Sequence, residues 1–315
     1  MPDDGHGLDA DHPVEIPARG WRDVAVRVKD EMKDDHASLS SAGVAFFGFL
    51  ALIPGLAALV SLYGIFADPD DVRARVESLT ATLPTEARDL IEDQLTRLTG
   101  TSTTSLGLGL VVSVALALWS ASSGVAHIVE AINIAYDEKD ERGPVARRGM
   151  ALLMTLALVV VAGVAIAVTA LLSQADDSNT ALRWVLRIVS WLLLAVAFVA
   201  ALVVLYRHGP DRDEPKWRWA TPGALAALVG WIVISIAFRL YVANFGSYDE
   251  TYGSLAAIVV VLFWLYLSAL VIIAGAQLNA ELEHQTARDS TKGPDRPLGA
   301  RDAEMADTIG RRTGG

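Results

Sequence analysis

The chain has 315 residues, 52% of them hydrophobic, with a formal net charge of −11 and no cysteine; its mean hydropathy is +0.37. The apolar residues are gathered into long blocks, so the excess points to a membrane rather than to an oversized soluble core. The missing cysteines exclude disulfides, thiolate catalysis and cysteine metal sites, and acidic termini without a clustered basic surface argue against a nucleic-acid partner.

The chain starts MPDDGHGLDADHPVEIP. It lacks the basic and short apolar regions of a cleaved signal, so the first apolar block is expected to be a retained span. Residues 1–18 are expected to form a disordered tail. Trp21, Val24, Val28 and Met32 then recur at i, i+3, i+7 and i+11, an apolar stripe on a charged helix. Such a helix either lies along lipid headgroups or docks on a bundle.

Crossing about 30 Å of hydrocarbon takes roughly 20 mainly apolar residues. Six stretches qualify, at about 40–66, 106–126, 150–173, 183–206, 220–243 and 253–281. They predict an all-α polytopic membrane protein whose six-span domain covers 19–284. Between the first two spans, residues 67–105 repeat the amphipathic pattern through Val72, Val76, Leu79 and Leu83, then Leu90, Ile91, Leu95 and Leu98 after Pro84. These predict a small helical outer loop. Residues 285–315 have few apolar side chains and are expected to be a disordered tail.

Lys and Arg collect before span one, between spans two and three, between spans four and five, and after span six. That distribution predicts a cytoplasmic-membrane protein with both termini in the cytoplasm. Arg183 and Arg187 run against the pattern.

Polar groups inside these blocks are the candidates for function. In WSASSGVAHIVEAINIAY, residues 119–136, the side chains of Ser120, Ser123, His127 and Glu130 fall within about 80° of a helical wheel. An ionisable group in hydrocarbon costs at least a few kcal/mol, so it faces protein or water. This arc is therefore either a polar vestibule or a helix end already outside the bilayer. Asn133 and Tyr136 continue it, and Gln277, Asn279 and Glu281 approach the same side on span six. Together they are a candidate polar path or gate. Pro54 removes a donor near mid-span and is expected to kink span one. Arg239 is placed at the outer leaflet, where it snorkels, pairs with Asp249 or Glu250, or meets an anion. Ser113, Ala117 and Ala121 form a small-residue stripe that suits close helix packing.

Three blocks resemble one family. SLSSAGVAFFGFLALIPGLAALVSLYGIFADP resembles the first span of the YihY/virulence factor BrkB family. Trp119 to Ser122, followed by Ala131, Ile132, Asn133 and Tyr136, resemble its second block; Tyr252, Gly253, Trp264, Gly275, Asn279 and Glu281 resemble its last span. The likeness covers roughly residues 20–284. Ser123 and Glu130 depart from it, standing where relatives often carry basic residues, and Gln277 stands where Glu is frequent. The resemblance implies a six-span protein of the cytoplasmic membrane. Some members have been suggested to move lipids, and part of the family bears an old ribonuclease name.

Enzymatic readings find little in the residues. The six histidines are scattered, no HxH or HxxxH pair falls within an expected element, and no phosphate-binding glycine loop is followed by lysine. Neither catalytic residue, metal nor cofactor is expected. The expected function is a transporter or flippase-like protein for a lipid or amphipathic solute, with membrane lipids as partners. Without a nucleotide site it would run on a gradient or equilibrate its cargo. The alternative is a structural or accessory membrane protein; a ribonuclease is the weakest reading.

Overall fold

The structure, a computed structural model, describes residues 5–66, 106–173, 180–244 and 254–312. Helix α1 spans Ala18–Asp34. Six long helices then occupy the six apolar segments: α2 Ala37–Phe66, α3 Leu106–Ala135, α4 Pro144–Ser173, α5 Thr180–His208, α6 Trp217–Asn244 and α7 Ser254–Glu283. A short α8, Glu304–Asp307, follows. The outer-loop pattern at 67–105 lies outside the described residues, as do Asp249 and Glu250.

Among the described residues, Pro144–Ala165, Trp184–His208, Trp217–Val242 and Ile258–Glu283 are long and apolar enough to cross a membrane. Their outward side chains agree with that. Val160 and Val164 on α4, Ile188, Trp191 and Leu192 on α5, and Val229, Val233 and Ile236 on α6 are all exposed. A soluble bundle would hide such residues; a lipid solvent accepts them.

Sequential helices are neighbours. α2 packs on α3, α3 on α4, α4 on α5, α5 on α6 and α6 on α7; α7 also packs on α2 and closes a ring. Residues 136–143 and 209–216 are links of eight residues, which reach at most about 29 Å. A 30-residue helix is about 45 Å long, so each link joins antiparallel neighbours. The C-terminal ends of α3, α5 and α7 and the N-terminal ends of α2, α4 and α6 therefore share one pole.

Among the described residues, the largest buried apolar cluster lies near that pole. Val129, Ile132 and Tyr136 of the α3 end meet Leu202, Val203 and Tyr206 of α5, with Ala220, Ala224 and Ala227 of α6 facing Ala276 and Ala280 of α7. Alanines let α6 and α7 approach closely, and Gly223 and Gly275 sit in backbone contact. Pro222 lies inside α6 and lacks an N–H. The Asn279 amide of α7 bonds the α6 backbone around it, donating to Ala220 O at 3.0 Å and accepting from Gly223 N at 2.7 Å. Pro54 lies within the helical backbone of α2, and its side chain is outside the described residues. Between α2 and α3 the described close approach is Gly48 against Gly124; of the small-residue stripe, the side chains of Ser113 and Ala117 are likewise outside.

The α1 stripe docks on the bundle. Val24 is fully buried with Ala10, Ile16, Trp219 and Leu282, Val28 packs against that group, and Met32 packs near Ala37, Ala131 and Ile273.

Both tails depart from the expected disorder over residues 5–16 and 285–312. Leu8, Ala10 and Ile16 are buried, as are Thr286, Arg301, Met305 and Ala306. The Arg301 guanidinium donates to the carbonyls of Ala287, Arg288, Arg296 and Ala306. Thr286 donates to Ala10 O at 2.7 Å, and Pro215 pairs with Thr291 in an antiparallel bridge. Composition misleads here because these segments need no core of their own. They fold onto a surface the bundle already supplies, where polar side chains find backbone partners.

Candidate functional site

The link from α3 to α4 builds a surface cleft at this pole. α3 ends because Asp137 adopts a left-handed conformation, φ 54°. Glu138 N then donates to Asn133 O and Asp137 N to Ile134 O, both at 2.9 Å. This double bond pattern satisfies the last carbonyls of the helix. Asp140 next accepts from Arg142 N at 3.1 Å, Arg142 Nε at 2.8 Å and Arg142 Nη2 at 3.1 Å. Arg147, one turn into α4, donates to Arg142 O at 2.8 Å and to Asp140 O. Pro144 opens α4, where a missing N–H costs nothing.

The knot holds open a cleft of about 380 Å³ between α3 and α4. Its apolar lining is Ala126, Val129, Ile134, Met150 and Ala151. Its polar lining is Glu130 and Asn133 from α3 with Glu138, Lys139, Asp140, Arg142 and Arg147. Burial pushes the Asp140 carboxyl up, but hydrogen bonds from Arg142 and the charges of Arg142 and Arg147 outweigh it and hold Asp140 below the usual carboxylate range. Burial raises Glu138, although its carboxylate accepts the Glu304 N–H at 2.9 Å. The site is amphipathic by construction: apolar side chains of α3 and α4 lie beside charges from the link and from the helix ends flanking it, Glu130 on α3 and Arg147 on α4.

The polar arc read from the sequence divides here. Ser120 is half-buried. Ser123 accepts from Arg148 Nη1 at 3.2 Å; that guanidinium lies 3.8 Å above the Trp119 ring. Thus α4 brings a cation to the helix face where the sequence has Ser. His127 stacks on Phe47 at 3.9 Å between ring centres and approaches Glu130 at 3.4 Å. The Glu130 side chain is 72% exposed.

The other candidates are buried, and Asn133 and Glu281 are committed to hydrogen-bond partners. Asn133 is held by Val129 O at 3.0 Å and Asp211 N at 2.8 Å, and Tyr136 is buried under Arg212, whose guanidinium is 4.8 Å from the ring centre. Gln277 is buried too, and neither its amide atoms nor the Tyr136 hydroxyl meet a hydrogen-bond partner among the described residues. Glu281, 1% exposed, receives Arg27 Nε, and Arg27 Nη2 also reaches Glu281 O at 3.1 Å and Gln285 Oε1 at 2.8 Å. Two residues further, Glu283 pairs with Arg212 at 2.7 Å, both fully buried. The single path joining the ends of α3 and α7 is therefore corrected: Glu130 opens into the cleft, whereas Glu281 is a structural anion. Arg239 is exposed on α6.

The sequence reading missed the rest of the cleft. Lys139, Arg142 and Arg147 served only to orient the spans, although their spacing around Asp140 already held the knot's ingredients.

Beside Glu281, the α1–α2 corner gathers further acids. Burial first, then the charges of Asp137, Glu31, Asp34 and Glu281, push the Asp35 carboxyl up to about 7. Glu31 and Asp137 are raised too, again chiefly by burial. A raised acid prefers its proton in the folded state, so its support is full below about 4 and is lost as the pH climbs to about 7. We expect the melting temperature in detergent to fall between pH 5 and pH 8, and Asp35→Asn to flatten that slope. An unchanged slope would refute the assignment to Asp35.

Comparison with known proteins decides the family. The family described as Virulence factor BrkB matches residues 28–299. The chain belongs to the BrkB family. It is 31% identical over 251 residues to the ribonuclease-like protein YfkH of Bacillus subtilis (strain 168), covering 77% of this chain and 88% of that one. It is 27% identical over 267 residues to a UPF0761 membrane protein of Pseudoalteromonas translucida, covering 82% and 85%. A UPF0761 membrane protein of Idiomarina loihiensis is 26% identical over 253 residues, covering 79% and 87%. No solved structure matches. This BrkB family chain is thus a membrane protein with an all-helical fold. The ribonuclease-like name is said of the Bacillus relative and brings no activity to this chain. Among the described residues, no three His, Cys, Asp or Glu side chains are grouped to hold a metal ion.

Proposed function

We propose that this protein moves a lipid or amphipathic solute across or within the cytoplasmic membrane, with the polar pole and both termini on the cytoplasmic side. One observation carries the reading: the α3–α4 cleft, with apolar side chains on two long helices and charges on its link and the adjoining helix ends, suits a molecule with a polar head and an apolar tail. A cleft serving only a rigid scaffold has no need of open charges beside lipid-compatible walls.

The test is reconstitution. Purified protein in vesicles carrying a fluorescent-headgroup lipid should expose lipid to an impermeant quencher faster than protein-free vesicles do. Ala126→Trp, which fills the cleft, should abolish the gain while leaving the melting temperature within a few degrees. Equal rates with and without protein, for several lipid classes, would refute the proposal. The absence of native cysteine permits a matched check of sidedness: a cysteine at Lys139 should react with an impermeant thiol reagent from the cytoplasmic side alone.

A further inference from the structure

The cleft's charges are not equally available, and what remains open specifies a ligand. Arg142 is committed to Asp140 and to Gly209 O at 2.9 Å. Glu138 holds the Glu304 N–H, and both ends of the Asn133 amide are used. Three lining groups stay open. Lys139 is exposed; Arg147, though its Nε and Nη2 meet carbonyls and its Nε lies 3.5 Å from the Asp140 carboxylate, is still 55% exposed; Glu130 is 72% exposed, and among the described residues its ion-pair neighbour is His127.

Two exposed cations, Lys139 on the link and Arg147 in the first turn of α4, suit a phosphate, and the exposed Glu130 carboxylate on α3 suits a cation. A purely anionic headgroup would set its phosphate charge near Glu130 with nothing to offset the repulsion. A quaternary ammonium is recognised by aromatic faces, and no aromatic side chain lines the cleft. A primary ammonium instead donates hydrogen bonds to a carboxylate. The apolar lining, with Ile134 40% exposed, leaves room for the start of an acyl chain. Exposed Leu153, Leu156, Val160 and Val164 continue up α4 from the same pole.

We infer that the cleft binds a phosphoethanolamine-type lipid headgroup, its phosphate on Lys139 and Arg147 and its ammonium on Glu130. The inference rests on the transport reading for its purpose, but binding measures it separately.

The experiment is native mass spectrometry of the full chain in detergent, titrated with phosphatidylethanolamine, phosphatidylcholine and phosphatidylglycerol of identical acyl chains. The wild type should retain phosphatidylethanolamine best. Glu130→Gln should lower that retention roughly five- to tenfold, about the worth of one charge-assisted hydrogen bond at an open site, and raise that of phosphatidylglycerol, whose phosphate then no longer meets a carboxylate. Glu130→Lys should turn the preference toward phosphatidylglycerol. Lys139→Gln combined with Arg147→Gln should weaken both phosphatidylethanolamine and phosphatidylglycerol. Equal retention of the three lipids, or a preference that survives Glu130→Gln, would overturn the inference. So would displacement of the lipid by equimolar glycerophosphoethanolamine, which would make the occupant a soluble solute. Glu130-dependent selectivity without lipid movement would sink the transport reading alone; movement without selectivity would sink this one alone.

Discussion

Arg27→Ala is expected to destabilise the folded protein by about 3–5 kcal/mol, the cost of stranding one member of a buried ion pair. The substitution leaves the Glu281 carboxylate, 1% exposed, without its cation. It also removes donors from Glu281 O, Gln285 Oε1 and Arg311 O, which tie α7 and the C-terminal segment to α1. Arg27→Lys should fare little better, because a point charge cannot reach several acceptors arranged for a planar fork. Glu281→Ala should cost a similar amount. The double variant Arg27→Met, Glu281→Leu should recover part of the loss, since removing both charges removes the desolvation penalty as well. Melting in detergent and a double-mutant cycle check this, and single-variant costs below about 1 kcal/mol would contradict it. There is a functional corollary. Reduced transport in a Glu281→Gln protein would report a damaged pole rather than a missing gate, so Glu130 is the acid to use when probing the path.

The all-helical membrane fold was legible because a helix that crosses a membrane must be long and continuously apolar, a demand that shows in one dimension and that four helices meet among the described residues. The helices differ from the blocks mainly at the polar pole, where α3 runs to Ala135 and α4 begins at Pro144. Their amphipathic ends continue past the hydrocarbon, so hydropathy alone stops short. The candidate site was legible only in part. Glu130 and Asn133 both line the cleft, yet Asn133 is held by a link 78 residues away and Glu281 by an arginine 254 residues away. A polar residue near a span end looks the same in sequence whether water, cargo or a distant guanidinium satisfies it. The tails failed for a related reason. Counting apolar residues tests whether a segment can fold alone, not whether Thr286 and Arg301 will find carbonyls on a neighbouring surface.

Gly223→Ala should rank beside the ion-pair variants in effect, and for a different reason. A Cβ on Gly223 would overlap the Gly275 carbonyl oxygen and stand 2.6 Å from Asn279 Cγ. Its counterpart on Gly275 would meet Gly223 O and the Tyr206 hydroxyl, each at 2.6 Å. Backbone cannot swing aside as a side-chain tip can, so α6 and α7 must separate. Separation breaks the Asn279 clasp on Ala220 O and Gly223 N beside Pro222, leaving buried groups unmatched. The expected cost is about 3 kcal/mol, at the upper end for overpacking, and Gly223→Val should prevent stable folding. Gly163→Ala is the control. Among the described residues no heavy atom beyond its own stretch of helix backbone lies within 4 Å of its added carbon, and alanine is the better helix former, so that variant should melt at or slightly above the wild type. If Gly223→Ala and Gly163→Ala melt alike, the α6–α7 crossing is looser than the structure shows, and the closed ring of helices would lose its tightest joint.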